Sequence, residues 1–159
     1  MPKSPKKYTA TEALPKIQKY CAYQERHHQE VRDKLYTYGL HQSEVEQLIS
    51  ELITSGFLNE ERYAKAFAGG KFRMKHWGKN KIINELNFRG ISKRCIQTGL
   101  KEIDDIDYRK ELQKQLKKKI QSVTEENLFK KRDKVARFVM GKGYEPELVW
   151  AYVMDLLPD

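Results

Sequence analysis

The sequence predicts an all-α protein built from three tandem three-helix repeats, which form an elongated, curved helical array of right or left hand. Apolar residues recur at helical spacing through almost the whole chain, with little strand-like alternation. In addition, Gly39, Gly90 and Gly143 occupy equivalent points of a repeat about fifty residues long. The two observations together indicate stacked helical units.

The apolar columns around these glycines define two helices in every repeat. Apolar residues stand eight and four positions before each glycine, and one, six, ten and thirteen positions after it. Such spacing lines one helix face before the glycine and another after it. Each glycine is therefore expected to end a helix in the left-handed conformation. Ser92 can cap the next helix and Pro146 suits a first turn. The predicted hairpins are 28–55, 78–104 and 130–157.

A further helix precedes each hairpin and completes the unit. Its apolar stripes are Leu14, Ile17 and Cys21 in the first unit, Tyr63 and Phe67 in the second, and Leu112, Leu116 and Ile120 in the third. A single unit of this size buries little surface, so neighbouring units are expected to share burial. The joints are predicted at 54–59 and 102–107, with few core residues. The predicted divisions are a flexible basic tail over 1–10, then repeats over 11–55, 56–104 and 105–159.

Composition limits the partners and the compartment. The 159 residues carry 31 Lys and Arg against 22 Asp and Glu, a net charge of +9, which favours a polyanionic partner such as nucleic acid. No apolar run approaches the roughly 18 residues that span a bilayer, and no secretory signal follows the basic N-terminus. We therefore expect a cytoplasmic protein without a membrane partner. Cys21 and Cys95 occupy apolar helical positions and are predicted to be buried free thiols.

The segment KFRMKHWGKNKI, residues 71–82, places cations among aromatic and apolar side chains. This composition is typical of phosphate-contacting surfaces, although an exposed helix face also needs charge. Trp77 could stack on a base or an arginine, or pack inside its own unit. Gly69-Gly70 fits a close helix approach, a kink or a break. The predicted contact residues are Lys71, Arg73, Lys75, Lys79, Lys81, Arg89, Lys93 and Arg94, followed by Lys117, Lys118 and Lys131.

Catalytic and metal chemistry find little support in the sequence. The carboxylate clusters Glu60–Glu61 and 104–107 lie where helices start, so capping and dipole interactions explain them. His27 and His28 are adjacent and lack an acid or cysteine set with metal spacing. Helix-turn-helix recognition of DNA is weakly indicated, because a repeat scaffold explains all three hairpins. We expect no enzymatic activity, no metal and no cofactor.

Residues 55–67, followed by 71–92, resemble the RecX family of bacterial recombination regulators. The family pattern is a Gly-Phe pair, an acidic pair, Arg, an aromatic residue and Ala, then a basic stretch, Gly, Ile, Glu-Leu and a basic residue before Gly-Ile. Asn59 and Gly69-Gly70 depart from the family's usual residues, and Val31 replaces a Leu. The matching positions are Gly56, Phe57, Leu58, Glu60, Glu61, Arg62, Tyr63, Ala64, Gly78, Ile82, Glu85, Leu86, Arg89, Gly90 and Ile91.

The resemblance implies a monomeric, non-enzymatic modulator that binds along the groove of RecA filaments on single-stranded DNA. Double-stranded DNA is a second candidate ligand. It implies inhibition of the RecA ATPase, strand exchange and co-protease activities. Arg62 and Tyr63 would set the angle between units. The family-pattern residues with an expected structural role are Gly56, Phe57, Arg62, Tyr63, Trp77, Gly78 and Gly90.

Three alternatives stay open on the sequence. A stand-alone DNA-binding or nucleoid protein would bind DNA in a salt-dependent manner without a recombinase. An adaptor scaffold would use its basic faces to bind acidic proteins. An enzyme would need a metal-dependent activity that is lost when Asp104 or Asp105 is changed.

Overall fold

Over the residues that the structure describes, 7–159, a computed structural model shows nine α-helices and no strand. The prediction of an all-α protein is confirmed. Unit 1 contains α1–α3, unit 2 contains α4–α6 and unit 3 contains α7–α9. The helices are α1 Ala10–Tyr23, α2 His28–Thr37, α3 Gln42–Thr54, α4 Glu60–Lys75, α5 Lys79–Phe88, α6 Lys93–Leu100, α7 Asp105–Ser122, α8 Leu128–Gly141 and α9 Pro146–Leu156. Within this range no helix combines the length and apolarity needed to cross a lipid bilayer.

The three aligned glycines turn the chain between the second and third helices of their units. Their φ angles are 83° at Gly39, 77° at Gly90 and 102° at Gly143, all in the left-handed region. The Ser92 hydroxyl accepts a hydrogen bond from the Cys95 backbone N–H at the start of α6, and Pro146 is the first residue of α9. The sequence prediction for these turns and caps is therefore confirmed.

The glycine pair inside α4 neither breaks nor ends the helix, which continues to Lys75. A Cβ atom on Gly69 would lie 2.8 Å from the Arg73 guanidinium, and one on Gly70 would meet open space. The close helix approach of unit 2 lies elsewhere. A Cβ atom on Gly99 in α6 would lie 2.7 Å from the Ala64 carbonyl oxygen in α4, so this glycine allows α4 and α6 to pack tightly.

The buried apolar residues form two separate cores. One core belongs to unit 1, and the other is shared by units 2 and 3. The expectation of shared burial therefore holds for units 2 and 3, whereas unit 1 buries its own apolar stripes. Each joint contributes one buried residue, in agreement with the expectation of few: Leu58 is 1% exposed in the first core and Ile103 is 6% exposed in the second. A short connection must bury its apolar side chains on the unit that precedes or follows it.

Both thiols are free and buried, as predicted. Burial raises the pKa of the Cys21 thiol to about 11, so this thiol stays protonated at neutral pH. Most of the predicted basic tail, residues 1–6, lies outside the described residues. At its end, the Tyr8 backbone N–H donates to the Tyr38 carbonyl at 2.9 Å, and Thr9 caps α1. This part of the predicted tail is bound to unit 1.

Candidate nucleic-acid interface

Two aromatic rings on the surface of unit 2 are surrounded by cations. The Phe67 and Trp77 ring centroids lie 6.2 Å apart. Lys71 Nζ lies 5.0 Å from the Trp77 centroid and 5.5 Å from that of Phe67. Lys81 Nζ lies 4.5 Å from Trp77 and Arg89 Cζ lies 4.7 Å from Phe67. We call these five residues the unit-2 ring site.

The local fold brings the five residues together from separate elements. Phe67 and Lys71 are one turn apart on α4, so their side chains share a face. His76 then ends α4 with φ 58°, the single positive value at a non-glycine residue in the range 7–159, and this turn places Trp77 beside α4. Lys81 lies in the first turn of α5, and Arg89 follows its last residue.

The charge of the unit-2 ring site is only partly neutralised. Arg89 forms an ion pair with Glu85 at 2.7 Å. Among the described residues, neither Lys71 nor Lys81 forms an ion pair; both ammonium groups rest against rings instead. A cation over a ring keeps N–H donors for a phosphate oxygen. The half-buried rings also offer surface against which a base can stack.

Several predicted contact residues lie away from the unit-2 ring site. Arg73 extends along Gly69 and lines a separate groove with α7 residues, including Asp107 and Glu111. Residues two apart on a helix point about 200° away from each other, which is why Arg73 and Lys71 separate. Lys79 Nζ lies 4.6 Å from the Tyr108 ring of unit 3.

All but one of the remaining predicted cations are solvent-facing. Lys75, Lys93 and Arg94 are exposed at the end of α4 and the start of α6. In unit 3, Lys117 and Lys118 are exposed on α7, and Lys131 is half-buried on α8. Sequence reasoning assigned Phe67 to the apolar stripe only and missed its place in the ring site. Its position four residues before Lys71 was the available signal.

Arg62 and Tyr63 lie at the joint between units 1 and 2. Arg62 Nε donates to Glu25 at 2.7 Å, and its Nη2 donates to the Gly56 carbonyl at 3.0 Å. The Tyr63 ring meets His27 edge-on, with centroids 5.4 Å apart. The contacts with Glu25 and His27 cross from α4 to the connection between α1 and α2, which is the place expected for residues that set an inter-unit angle.

Gly78 lies at the other joint, where units 2 and 3 meet. Its backbone N–H donates to the Lys142 carbonyl at 2.8 Å, and the N–H of Asn80 donates to the Gly143 carbonyl at 2.8 Å. A Cβ atom on Gly78 would lie 2.2 Å from the Gly143 carbonyl carbon. The two backbones can approach this closely only because residue 78 has no side chain.

Comparison with known proteins assigns this architecture to a family. The family model for the second three-helix domain of RecX matches residues 59–100, and the model for the third matches residues 107–153. The chain belongs to the RecX family. The RecX models therefore cover the unit-2 ring site and both units that share a core.

Relatives and solved structures agree with this assignment. The chain is 32% identical over 130 residues to the regulatory protein RecX of Clostridium botulinum (strain Eklund 17B), covering 80% of this chain and 60% of the relative. It is 32% identical over 118 residues to that of Clostridium perfringens (strain 13), covering 73% and 55%. The chain thus spans little more than half the length of these relatives. The RecX crystal structure from Lactobacillus salivarius superposes with a TM-score of 0.83 at 20% identity, covering 92% of this chain and 96% of the other, and supports the fold.

Proposed function

We propose that this chain regulates RecA filaments on single-stranded DNA, mainly by inhibiting the ATPase, strand exchange and co-protease activities of RecA. It acts as a monomer in the cytoplasm, beside its proposed partner, and needs neither a cofactor nor a catalytic group. The family assignment supports a regulatory role, because the curated relatives are named regulatory proteins. The proposed partner and its inhibition follow from the family resemblance.

The unit-2 ring site is the observation that carries the proposal. Three cations are held on two rings, and two of them have no acidic partner within residues 7–159. Lysine ammonium groups held in this way can replace the counterions of a phosphate backbone, which makes binding sensitive to salt. The rings add stacking surface, which is sequence-tolerant because every base has a π-face. The site therefore suits a strand that is bound irrespective of its sequence.

The array of three units explains how such a site could act on a filament. A chain with one packed body in unit 1 and another in units 2 and 3 can contact more than one RecA protomer while its cations contact the DNA. Each contact can be weak, because once one contact has formed, the second is made within the same complex at a high effective concentration. Bridging of this kind restrains the movement of protomers during ATP hydrolysis.

The test is a titration of the chain into a RecA ATPase assay on single-stranded DNA, beside binding to the same DNA without RecA. We expect inhibition at concentrations below those that coat bare DNA. A stand-alone DNA-binding protein would inhibit only when it covers the DNA. Equal concentration dependence in the two measurements would therefore favour that alternative.

A paired variant connects the activity with the site. Replacing Lys71→Gln and Lys81→Gln keeps the aliphatic stems on Trp77 and removes two charges. We expect binding to single-stranded DNA and to the filament to weaken about tenfold, and the salt slope to fall by about two. The matched control, Lys19→Gln with Lys101→Gln, removes the same charge from exposed positions and should bind like the parent. If both double variants lost the same DNA affinity, the loss would reflect net charge and not the position of Lys71 and Lys81.

A further inference from the structure

A second cation-flanked ring lies on unit 3, at residues that the sequence reasoning did not select. Phe138 on α8 is 43% exposed. Lys119 Nζ, from α7, lies 4.0 Å from its ring centroid, and Lys142 Nζ lies 5.1 Å from it. The Lys142 ammonium also donates to Gln115 Oε1 at 2.8 Å, which fixes its position. We call Phe138, Lys119 and Lys142 the unit-3 ring site.

The two ring sites are built in the same way. In each, one ring contacts both a lysine from the first helix of the unit and a cation just before the left-handed glycine. Lys71 and Arg89 flank Phe67 in unit 2, as Lys119 and Lys142 flank Phe138 in unit 3.

Sequence comparison of the repeats does not show this likeness, because the two rings stand on different helices. Phe67 lies on the first helix of its unit, whereas Phe138 lies on the second. Unit 1 has Tyr38 before its glycine, and that ring packs edge-on against Tyr8. Unit 1 does have a ring near two cations, because Arg26 Cζ lies 3.7 Å and Lys34 Nζ 5.3 Å from the Tyr20 centroid. Neither cation comes from the first helix or from the position before Gly39, so the arrangement of units 2 and 3 is not repeated there.

A small cavity of about 170 Å³ opens beside Phe138. Its lining contains no carboxylate and consists of Gln115, Lys118, Lys119, Ser122, Phe138 and Lys142. Gln115, which binds Lys142, also donates a hydrogen bond to the Glu111 carboxylate at 2.7 Å. Glu111 in turn lies 3.2 Å from Nδ1 of His76 in unit 2. Three lysines, one planar apolar ring and no competing acid suit an anion joined to a planar group. At about 170 Å³ the cavity is smaller than the roughly 300 Å³ that encloses a drug-sized ligand, so a bound nucleotide would lie partly outside it, on the surface.

We propose that the unit-3 ring site binds one nucleotide of a single strand, with its phosphate on Lys119 and Lys142 and its base against Phe138. The proposal rests on the proposed function in that the same strand also occupies the unit-2 ring site. The backbone hydrogen bonds at Gly78 and Asn80 hold the two units together and fix the separation of the two sites. A strand long enough to reach both is then bound at two points, and the second contact is intramolecular.

The experiment measures binding of labelled oligothymidylates of two lengths, about five and about thirty nucleotides, chosen to occupy one site or to span both. The variant is Lys119→Gln with Lys142→Gln, and the control is Lys19→Gln with Lys101→Gln. We expect the variant to bind the long strand about tenfold more weakly and to bind half as many short strands per chain. Phe138→Leu, which keeps an apolar side chain, should weaken the long strand about fivefold, and unchanged thermal unfolding confirms that both variants fold.

The outcomes separate this inference from the proposed function. If Lys71→Gln with Lys81→Gln weakens the long strand while the unit-3 variant binds like the control, the second site is rejected and the proposed function stands. If the parent chain binds neither strand and leaves the RecA ATPase unchanged, the proposed function fails. If thymidine monophosphate binds at Phe138 while the variant keeps full affinity for the long strand, the site takes free nucleotides and the strand-binding inference is overturned.

Discussion

The two joints of the molecule connect their units by different means. Units 2 and 3 meet backbone to backbone at Gly78 and Gly143 and share one apolar core. The Tyr108 hydroxyl, which accepts from the Lys79 backbone N–H at 2.9 Å and donates to Glu145, adds a buried link. Such contacts leave little freedom, because moving one unit would break backbone hydrogen bonds and expose apolar surface.

The joint between units 1 and 2 depends on side chains. Arg62 pairs with Glu25, and Tyr63 touches His27, while grooves of about 590 Å³ and 530 Å³ lie along the same boundary. Partly exposed ion pairs contribute at most about 1 kcal/mol, and the cores on the two sides are separate. We infer that units 2 and 3 form a rigid pair that carries both ring sites, and that unit 1 can adjust its angle to that pair.

The largest effect is expected at the backbone joint. Gly78→Ala would place a Cβ atom 2.2 Å from both the Gly143 carbonyl carbon and the Tyr144 backbone nitrogen, and backbone atoms cannot yield as a flexible side chain can. We expect the free energy of unfolding to fall by about 3 kcal/mol and the midpoint of thermal unfolding by about 10 °C. Far-UV circular dichroism during heating measures both.

A second glycine provides the control for this prediction. Gly70 is also in unit 2, lies within α4, and a Cβ atom there would meet nothing within 4 Å. Gly70→Ala should therefore raise the free energy of unfolding by about 1 kcal/mol, the difference in helix propensity. Equal midpoints for the two alanine variants would show that units 2 and 3 do not need the close backbone approach.

An intermediate effect is expected at the joint between units 1 and 2. There a substitution should change the angle between the units more than the free energy of unfolding. Arg62→Met removes the ion pair with Glu25 and should change the free energy of unfolding by about 1 kcal/mol or less. Spin labels introduced by Lys19→Cys and Lys130→Cys should show a broader distance distribution in this variant. Lys65→Met, which removes an ion pair within α4, serves as control. The same broadening in this control would show that Arg62 does not set the angle between units 1 and 2.

The glycine register allowed the helices and turns to be predicted, because a left-handed residue between two amphipathic faces leaves few alternatives. The difference between the joints could not be predicted from that register. Gly78 and Gly143 are 65 residues apart, and their contact depends on how α5 meets the turn before α9. The spacing of apolar residues along the sequence does not reveal a close contact between two distant backbone segments.

The ring sites show the same limit for the candidate interface. Lys71, Lys81 and Arg89 were selected by charge, and the structure brings these three together around rings. Charge alone also selected Arg73, which lies on the other side of α4, and passed over Phe138, which is an exposed aromatic residue in a helix. Long flexible side chains take their direction from the tertiary neighbours that they meet, and the sequence does not specify those neighbours.

The smallest effect is expected from acidification of the side-chain joint. Burial lowers the pKa of both His27 and His28, although Glu30 and Glu60 act in the opposite direction. In this structure His27 Nδ1 and His28 Nε2 are buried without a hydrogen-bond partner among the described residues. The joint thus holds both rings in their neutral form, and opening the joint allows the imidazoles to take up protons.

The sign of the pH dependence follows from this lowered pKa. The stabilisation is present above the ordinary histidine pKa of about 6.5 and is lost as the pH falls through that value towards the lower pKa of the closed joint. Between about pH 7.5 and 5.5 we expect the amide protection factors at residues 24–27 to fall, each exchange rate being compared with the intrinsic rate at the same pH. The fall should be smaller in His27→Gln with His28→Gln. His41→Gln, at an exposed cap of α3, should behave like the parent. Protection factors that rise on acidification would mean that Glu30 and Glu60 capture the protonated rings and close the joint.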